Sequence, residues 1–186
     1  MHVEVDNELP KRKVYILLTK FPGTWSRAIR CFSGSRYSHA SIGLEEDLNT
    51  FYSFVYKGFI VEKVTRYLKP DREPFACQLY ELEVSEEVYQ RIKRIINEFI
   101  DNKEILQYTK IGTIMCLLHI PYRKRYCYFC SQFVAFILEM SEAVKLKKNS
   151  ALYLPKDFKK MKDLRLHYEG NLKTMVDDFN LSYVGC

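Results

Sequence analysis

The segment CYFCSQFVAFILEM, residues 127–140, places two cysteines at the head of an apolar run. The apolar side chains after Gln132 surround the whole cylinder of a helix, so the pattern predicts a buried central helix. Cys130 would lie in its first turn, where backbone N–H groups lack helical partners and the helix dipole is positive. Because that environment lowers the pKa of a thiol, Cys130 is a candidate nucleophile.

The segments on either side predict an α+β fold. A strand over 13–21, a short helix over 24–33 and a meander of strands over 39–64 come first. A strand over 74–84 and a capped amphipathic helix over 85–103 follow, and a second helix spans 108–120. The pattern predicts an antiparallel sheet with helices packed to one side. Residues 152–158 read as a strand leading into a helix, and the rest of the C-terminal region as irregular.

The composition favours one globular domain without disulfides. A chain of 186 residues can bury a core by itself, and its six cysteines are too dispersed for a disulfide framework. Residues 1–12 read as a polar leader and 13–186 as a single domain. Without a secretion signal or a span of about 20 apolar residues, we expect a cytoplasmic protein with no integral membrane segment. The net charge of +6 comes with no nucleic-acid-binding motif, so no nucleic-acid partner is expected.

A thiol nucleophile needs a base, and four histidines are available. His2 lies in the leader, His167 in the irregular region, and His119 at the end of an apolar helix. His39 differs because RYSHASI, residues 36–42, puts it at the entrance of a strand, a rigid place from which to aim a ring. His39 is therefore the candidate base.

Two segments together resemble a known superfamily. YSHASIGLEEDLNTFYSF with GFIVE, residues 37–54 and 58–62, and YFCSQFVAFIL, residues 128–138, resemble the NlpC-type papain-like proteins. The histidine precedes the cysteine here, as in the circularly permuted branch that includes YiiX-like and lecithin retinol acyltransferase-like proteins and small bacterial members. The resemblance implies a permuted papain-like α+β fold, with an antiparallel sheet and helices packed against it.

The resemblance also implies roles for individual residues. Cys130 would be the nucleophile of an acyl-enzyme mechanism and His39 its general base. A third polar residue on the strand after the histidine would orient the ring, and the nearest match is Ser53, or Tyr52 beside it. Glu62, one strand further on, is the alternative. We expect Tyr52, Cys127 and Ser131 to line the substrate cleft.

Other interpretations of the cysteine pair are weaker. Cys127 and Cys130 could form half of a structural zinc site, but such a site takes four ligands and the sequence holds no second pair at metal spacing. A thioredoxin-like redox pair would need a strand directly before it. The expectation is therefore no metal and no cofactor.

The predicted function is a cysteine hydrolase or acyltransferase acting on an amide, ester or thioester bond. The partner would be a small-molecule, peptide or lipid-like acyl substrate. Because serine is a weak orienting residue, a catalytically silent module that binds a peptide, lipid or acyl group is the open alternative.

Overall fold

The computed structural model describes residues 11–68 and 73–183, with side chains as far as Phe179. Of the predicted leader, residues 1–10 and with them His2 lie outside the described residues, whereas Lys11 and Arg12 begin the first strand. The strands are β1 (Lys11–Thr19), β2 (His39–Leu44), β3 (Thr50–Val55), β4 (Gly58–Lys63), β5 (Ala76–Ser85), β6 (Gln107–Tyr108), β7 (Cys127–Tyr128) and β8 (Arg165–Asn171). The α-helices are α1 (Thr24–Ser33), α2 (Glu86–Asp101), α3 (Lys110–Leu117), α4 (Cys130–Met140), α5 (Pro155–Phe158) and α6 (Leu172–Tyr183).

Six strands form one antiparallel sheet in the order β4-β3-β2-β1-β5-β8. β1 lies inside this sheet, and its residues from Val14 to Thr19 are buried. A strand covered on both faces reads as a continuous apolar run, which is the pattern of its sequence. The predicted α+β class with an antiparallel sheet is confirmed.

Helices cover both faces of the sheet. Side chains of β1 alternate, so Val14, Ile16 and Leu18 belong to one core cluster and Tyr15 and Leu17 to another. The larger cluster packs against α2 and α4, and the smaller one against α6. The prediction of helices on one side only was therefore wrong, because the apolar face of α6 lies in a segment that read as irregular.

The two-residue strands β6 and β7 pair in parallel away from the main sheet. Tyr108 lies opposite Tyr128, and a helix follows each strand after one intervening residue. The N-termini of α3 and α4 are therefore neighbours. Thr109 caps α3 by accepting a hydrogen bond from the Gly112 N–H, so the helix predicted over 108–120 begins at Lys110.

The C-terminal third departs most from the prediction. Residues 152–158 form the end of a 3₁₀ turn and then α5, not a strand. β8 was missed because it is an edge strand whose residues are mostly exposed, with Leu166 at 47% exposure. Without a buried face, its sequence carries no apolar alternation.

Candidate active site

Cys130 is the first residue of α4, preceded by Phe129 in an extended conformation. The side chain of Gln132 accepts a hydrogen bond from the Phe129 N–H and so caps the helix. The next two turns are buried almost completely, with Phe133 in contact with the rings of Phe54 and Phe99. This packing holds the Cys130 sulfur in a fixed position at the positive end of the helix.

His39 begins β2 and is only 4% exposed. Its backbone lies opposite Thr19 at the end of β1, so the sheet fixes the position of the ring. The ring of Phe21 stacks on the imidazole, with a centroid separation of 4.4 Å and an interplanar angle of 14°. Sheet and aromatic stacking together restrict the ring to one orientation.

Glu62 is the carboxylate that contacts His39. Its Oε2 atom lies 3.1 Å from Nε2 of His39, and both side chains are buried. Glu62 in β4 pairs with Phe51 in β3. Its side chain therefore crosses β3 diagonally to reach His39 in β2. By alternation, Ser41 and Ser53 lie on the same face, and their small side chains leave room for this reach.

Ser53, placed first for the third position by the sequence, has a different partner. Its hydroxyl donates a 2.6 Å hydrogen bond to the carbonyl oxygen of Ala40. The ladder between β2 and β3 pairs Ile42 with Tyr52 and Gly43 with Phe51, and Ala40 lies beyond those pairs. Ser53 therefore holds the strand next to the histidine, while Glu62 holds the ring.

The electrostatics favour a thiolate–imidazolium pair. Burial alone would lower the pKa of His39, but the charges of Glu62 and of the Cys130 thiolate, and the hydrogen bonds with both, raise the pKa to about 10. Burial raises the pKa of Cys130, yet His39 and the backbone N–H groups of Ala40 and Ser131 lower it below the ordinary value. Since Nε2 faces Glu62, Nδ1 is the ring nitrogen left for the sulfur. A thiol, an imidazole and a carboxylate arranged in this order can act as a nucleophile, its base and an orienting group.

Tyr67 contributes a second contact to the carboxylate of Glu62. Burial and the charge of Glu62, together with a hydrogen bond between the two side chains, raise the pKa of the Tyr67 hydroxyl. Tyr67 ends the 3₁₀ turn Val64–Tyr67 that follows β4. The buried carboxylate therefore has two donors, His39 and Tyr67, which is what a buried charge requires.

Aromatic side chains border the site on the side of α1 and β6. Burial and the charge of Cys130 raise the pKa of Tyr108 to about 12. The Trp25 indole N–H donates to that hydroxyl at 3.4 Å and so links α1 to β6. The Lys110 ammonium lies 4.4 Å from the Tyr56 ring centre and 5.9 Å from that of Trp25.

The three residues expected in the cleft lie in different places. The Ser131 hydroxyl donates to the Tyr153 carbonyl oxygen at 2.7 Å, while its N–H bonds the Cys130 sulfur. Cys127 is a buried free thiol in β7. Tyr52 packs against the core cluster of α2 and α4. Burial raises the pKa of its hydroxyl, and nearby charges, including Lys63, contribute to that pKa. Ser131 alone of the three contacts Cys130, and does so through its backbone.

Two buried hydroxyls share the face of the sheet that carries His39. Thr19 and Ser41 are fully buried, and their oxygen atoms have no hydrogen-bond partner among the described residues. Unsatisfied buried hydroxyls are uncommon in folded proteins and tend to mark functional regions. The polar character of this face therefore extends beyond His39 and Glu62.

Sequence reasoning missed Phe21, Trp25, Tyr67 and Tyr108. Each is an aromatic residue next to a strand or helix end, and in the sequence such residues read as ordinary core. Only the pairing of β6 with β7 and the turn after β4 bring Tyr108 and Tyr67 to the site. No local pattern identifies these residues, because their positions depend on contacts between distant segments.

Neither protein-family models nor curated proteins match this chain. Within residues 11–68 and 73–183, no group of three or more histidine, cysteine or acidic side chains is placed to hold a metal ion. In the same part of the chain, no helix combines the length and the apolar character needed to cross a bilayer. The site is therefore interpreted from its own geometry.

Proposed function

We propose that this protein is a cysteine hydrolase or acyltransferase of the permuted papain-like type. The observation that carries the proposal is the buried row of Cys130, His39 and Glu62 at the N-terminus of a buried helix. The order in the chain, with the histidine strand before the cysteine helix, supports the permuted arrangement. The reaction class is acyl transfer from an amide, ester or thioester.

In the first step the Cys130 thiolate attacks the acyl carbonyl carbon and forms a carbon–sulfur bond. The His39 imidazolium gives its proton to the leaving amine, alcohol or thiol as the bond to carbon breaks. Water or a second nucleophile then attacks the thioester carbon, and neutral His39 accepts its proton. The carbon–sulfur bond breaks, which releases the acyl product and restores the Cys130 thiolate and the His39 imidazolium. The part of the Glu62 carboxylate is to stabilise the imidazolium and hold its orientation.

The oxyanion of the tetrahedral intermediate needs donors close to Cys130. The N–H groups of the first turn of α4 have no helical acceptor and face the reacting carbonyl. The Tyr108 hydroxyl, whose pKa the charge of Cys130 raises, is the side-chain donor that we propose. Trp25 donates to the oxygen of that hydroxyl, and the Thr113 hydroxyl is a second hydrogen-bond partner at 3.3 Å.

The aromatic border of the site favours an acyl group with apolar character. Phe21 provides a ring surface against His39, and the rings of Trp25 and Tyr108 are joined by a hydrogen bond. Lys110 adds one positive charge at this border. Arg123 of the basic loop after α3 lies away from this border, since it bonds Glu139 near the other end of α4.

The alternative, a module that binds without catalysis, was based on serine being a weak residue for orienting the histidine. A buried carboxylate 3.1 Å from the imidazole removes that ground, because it is a strong orienting group. No other described feature favours binding without turnover, and the acyl-transfer proposal stands alone.

The test is a panel of activated acyl esters, thioesters and anilides, with intact-mass and peptide mass spectrometry to detect an acyl-enzyme. We expect acylation at Cys130 that disappears in Cys130→Ala and in His39→Ala. Cys127→Ala is the matched control, since Cys127 is also buried and lies three residues away. Cys130 should still become acylated in this variant. Failure of every acyl donor to label Cys130, combined with ordinary thiol reactivity, would refute the proposal.

A further inference from the structure

Helix α3 carries an apolar stripe that the described part of the protein leaves uncovered. Ile111, Ile114 and Leu118 recur at the spacing of one helix face, and Ile120 follows at its end. The exposed fraction of these four side chains lies between 46% and 62%. We call them the α3 stripe. Clusters of large exposed apolar residues mark interaction sites, whereas single ones are ordinary.

The charged residues that flank the stripe in the sequence are all basic. From Ile105 to Leu138 the chain contains no aspartate or glutamate, but it contains Lys110, Arg123, Lys124 and Arg125. Arg123 is occupied by Glu139, Asn149 and Ser150. Lys110 precedes the stripe, and the exposed Lys124 and Arg125 follow it.

We propose that the α3 stripe and its flanking basic residues dock the protein onto an anionic lipid bilayer. An exposed helix face inserts its apolar side chains between lipid headgroups, while lysine and arginine bind the negative surface. A peptide partner would fit a groove, but these side chains protrude from a helix face. Tyr56, at 74% exposure beside Lys110, adds the kind of residue that favours the headgroup region.

The docking surface begins close to the candidate active site. Because β6 and β7 run in parallel side by side, α3 begins next to the N-terminus of α4 and therefore near Cys130. The docking proposal does not depend on chemistry at Cys130.

The test is co-sedimentation of the full chain with phosphatidylcholine vesicles and with equimolar phosphatidylcholine–phosphatidylglycerol vesicles. We expect binding to the anionic vesicles and little to the neutral ones. Trp25, the one tryptophan in the chain, is half-buried beside Lys110 and should shift its emission to shorter wavelength on binding.

Two variants separate the apolar and the charged contributions. Ile111→Ser/Leu118→Ser should lower the partition coefficient at least about tenfold, because both side chains leave the bilayer. Lys124→Gln/Arg125→Gln should lower it about 30-fold, since each basic residue near an anionic surface is worth roughly 1 kcal/mol. Leu166→Ser and Lys160→Gln/Lys162→Gln change similar exposed residues elsewhere and should bind as the wild type does.

Other outcomes would overturn the proposal. These are equal binding to both vesicle types, binding unaffected by the stripe variant, and a dimer in light scattering that the stripe variant dissociates. The last result would assign the stripe to a second copy of the chain. Cys130→Ala should bind vesicles like the wild type. A result that refutes acyl transfer therefore does not refute docking, and a result that refutes docking does not refute acyl transfer.

Discussion

Replacing Glu62 by glutamine removes one charge from the candidate site with almost no change in shape. The Glu62 carboxylate lies 3.1 Å from Nε2 of His39. At an effective dielectric constant of about 20, two unit charges at that distance attract by about 5 kcal/mol, an upper limit because burial opposes both charges. Opposite charges this close usually shift a pKa by about 1 to 3 units, or about 1.4 to 4 kcal/mol.

This loss falls on the thiolate–imidazolium form alone, because neutral imidazole gains little from the carboxylate. The equilibrium constant for proton transfer from Cys130 to His39 should therefore fall about 10- to 1000-fold in Glu62→Gln. At pH 6 an ordinary cysteine is only about 0.3% thiolate, so activation of Cys130 is most visible there. We expect the alkylation rate of Cys130 at pH 6 to fall at least about tenfold in the variant.

The assay is iodoacetamide alkylation between pH 4 and pH 10, followed by peptide mass spectrometry. The exposed Cys31 serves as a reference thiol within the same chain, and Glu83→Gln is a matched loss of an exposed carboxylate. The ratio of Cys130 to Cys31 alkylation should drop in Glu62→Gln and stay constant in Glu83→Gln. An unchanged pH profile in Glu62→Gln would show that the carboxylate does not activate the pair.

Three further predictions concern the neighbours of the pair. Tyr108→Phe should lower the rate of acylation about 100-fold if its hydroxyl binds the oxyanion, while iodoacetamide alkylation, which forms no oxyanion, should hardly change. Ser53→Ala leaves the carbonyl of Ala40 without its donor and should cost about 1 to 3 kcal/mol of unfolding free energy, measured in urea. The rate of hydrolysis should fall as the pH rises through about 10, because His39 then loses the proton that the leaving group needs. Alkylation of Cys130 needs no such proton and should persist. A parallel decline of both rates would count against His39 as the acid.

The sequence identified Cys130 and His39 because each lies at a boundary that a local pattern marks. An apolar run after Gln132 indicates where a buried helix begins, and a β-type run after Ser38 indicates where a strand begins. The structure places both residues at those boundaries. Local patterning also predicted α2 and the strands of the sheet other than β8, because their apolar periodicity is strong.

The third residue could not be predicted in the same way. Ser53 ranked first because it lies on the strand after the histidine, but its hydroxyl binds Ala40. Glu62 reaches His39 because β4 joins the edge of the sheet in a register that puts it opposite Phe51. Register between strands depends on pairing over the whole sheet, and no local pattern reveals it.

The stability of Glu62→Gln separates a catalytic from a structural reason for burying this charge. A buried ion pair is usually no more stabilising than apolar residues of the same volume, so stability gives little reason to keep one. When Glu62 becomes neutral, His39 can return its proton to Cys130, and no buried charge is left without a partner. The melting temperature of Glu62→Gln should therefore stay near that of the wild type, or rise, while alkylation of Cys130 at pH 6 falls. A large loss of stability with unchanged alkylation would show instead that Glu62 serves the fold.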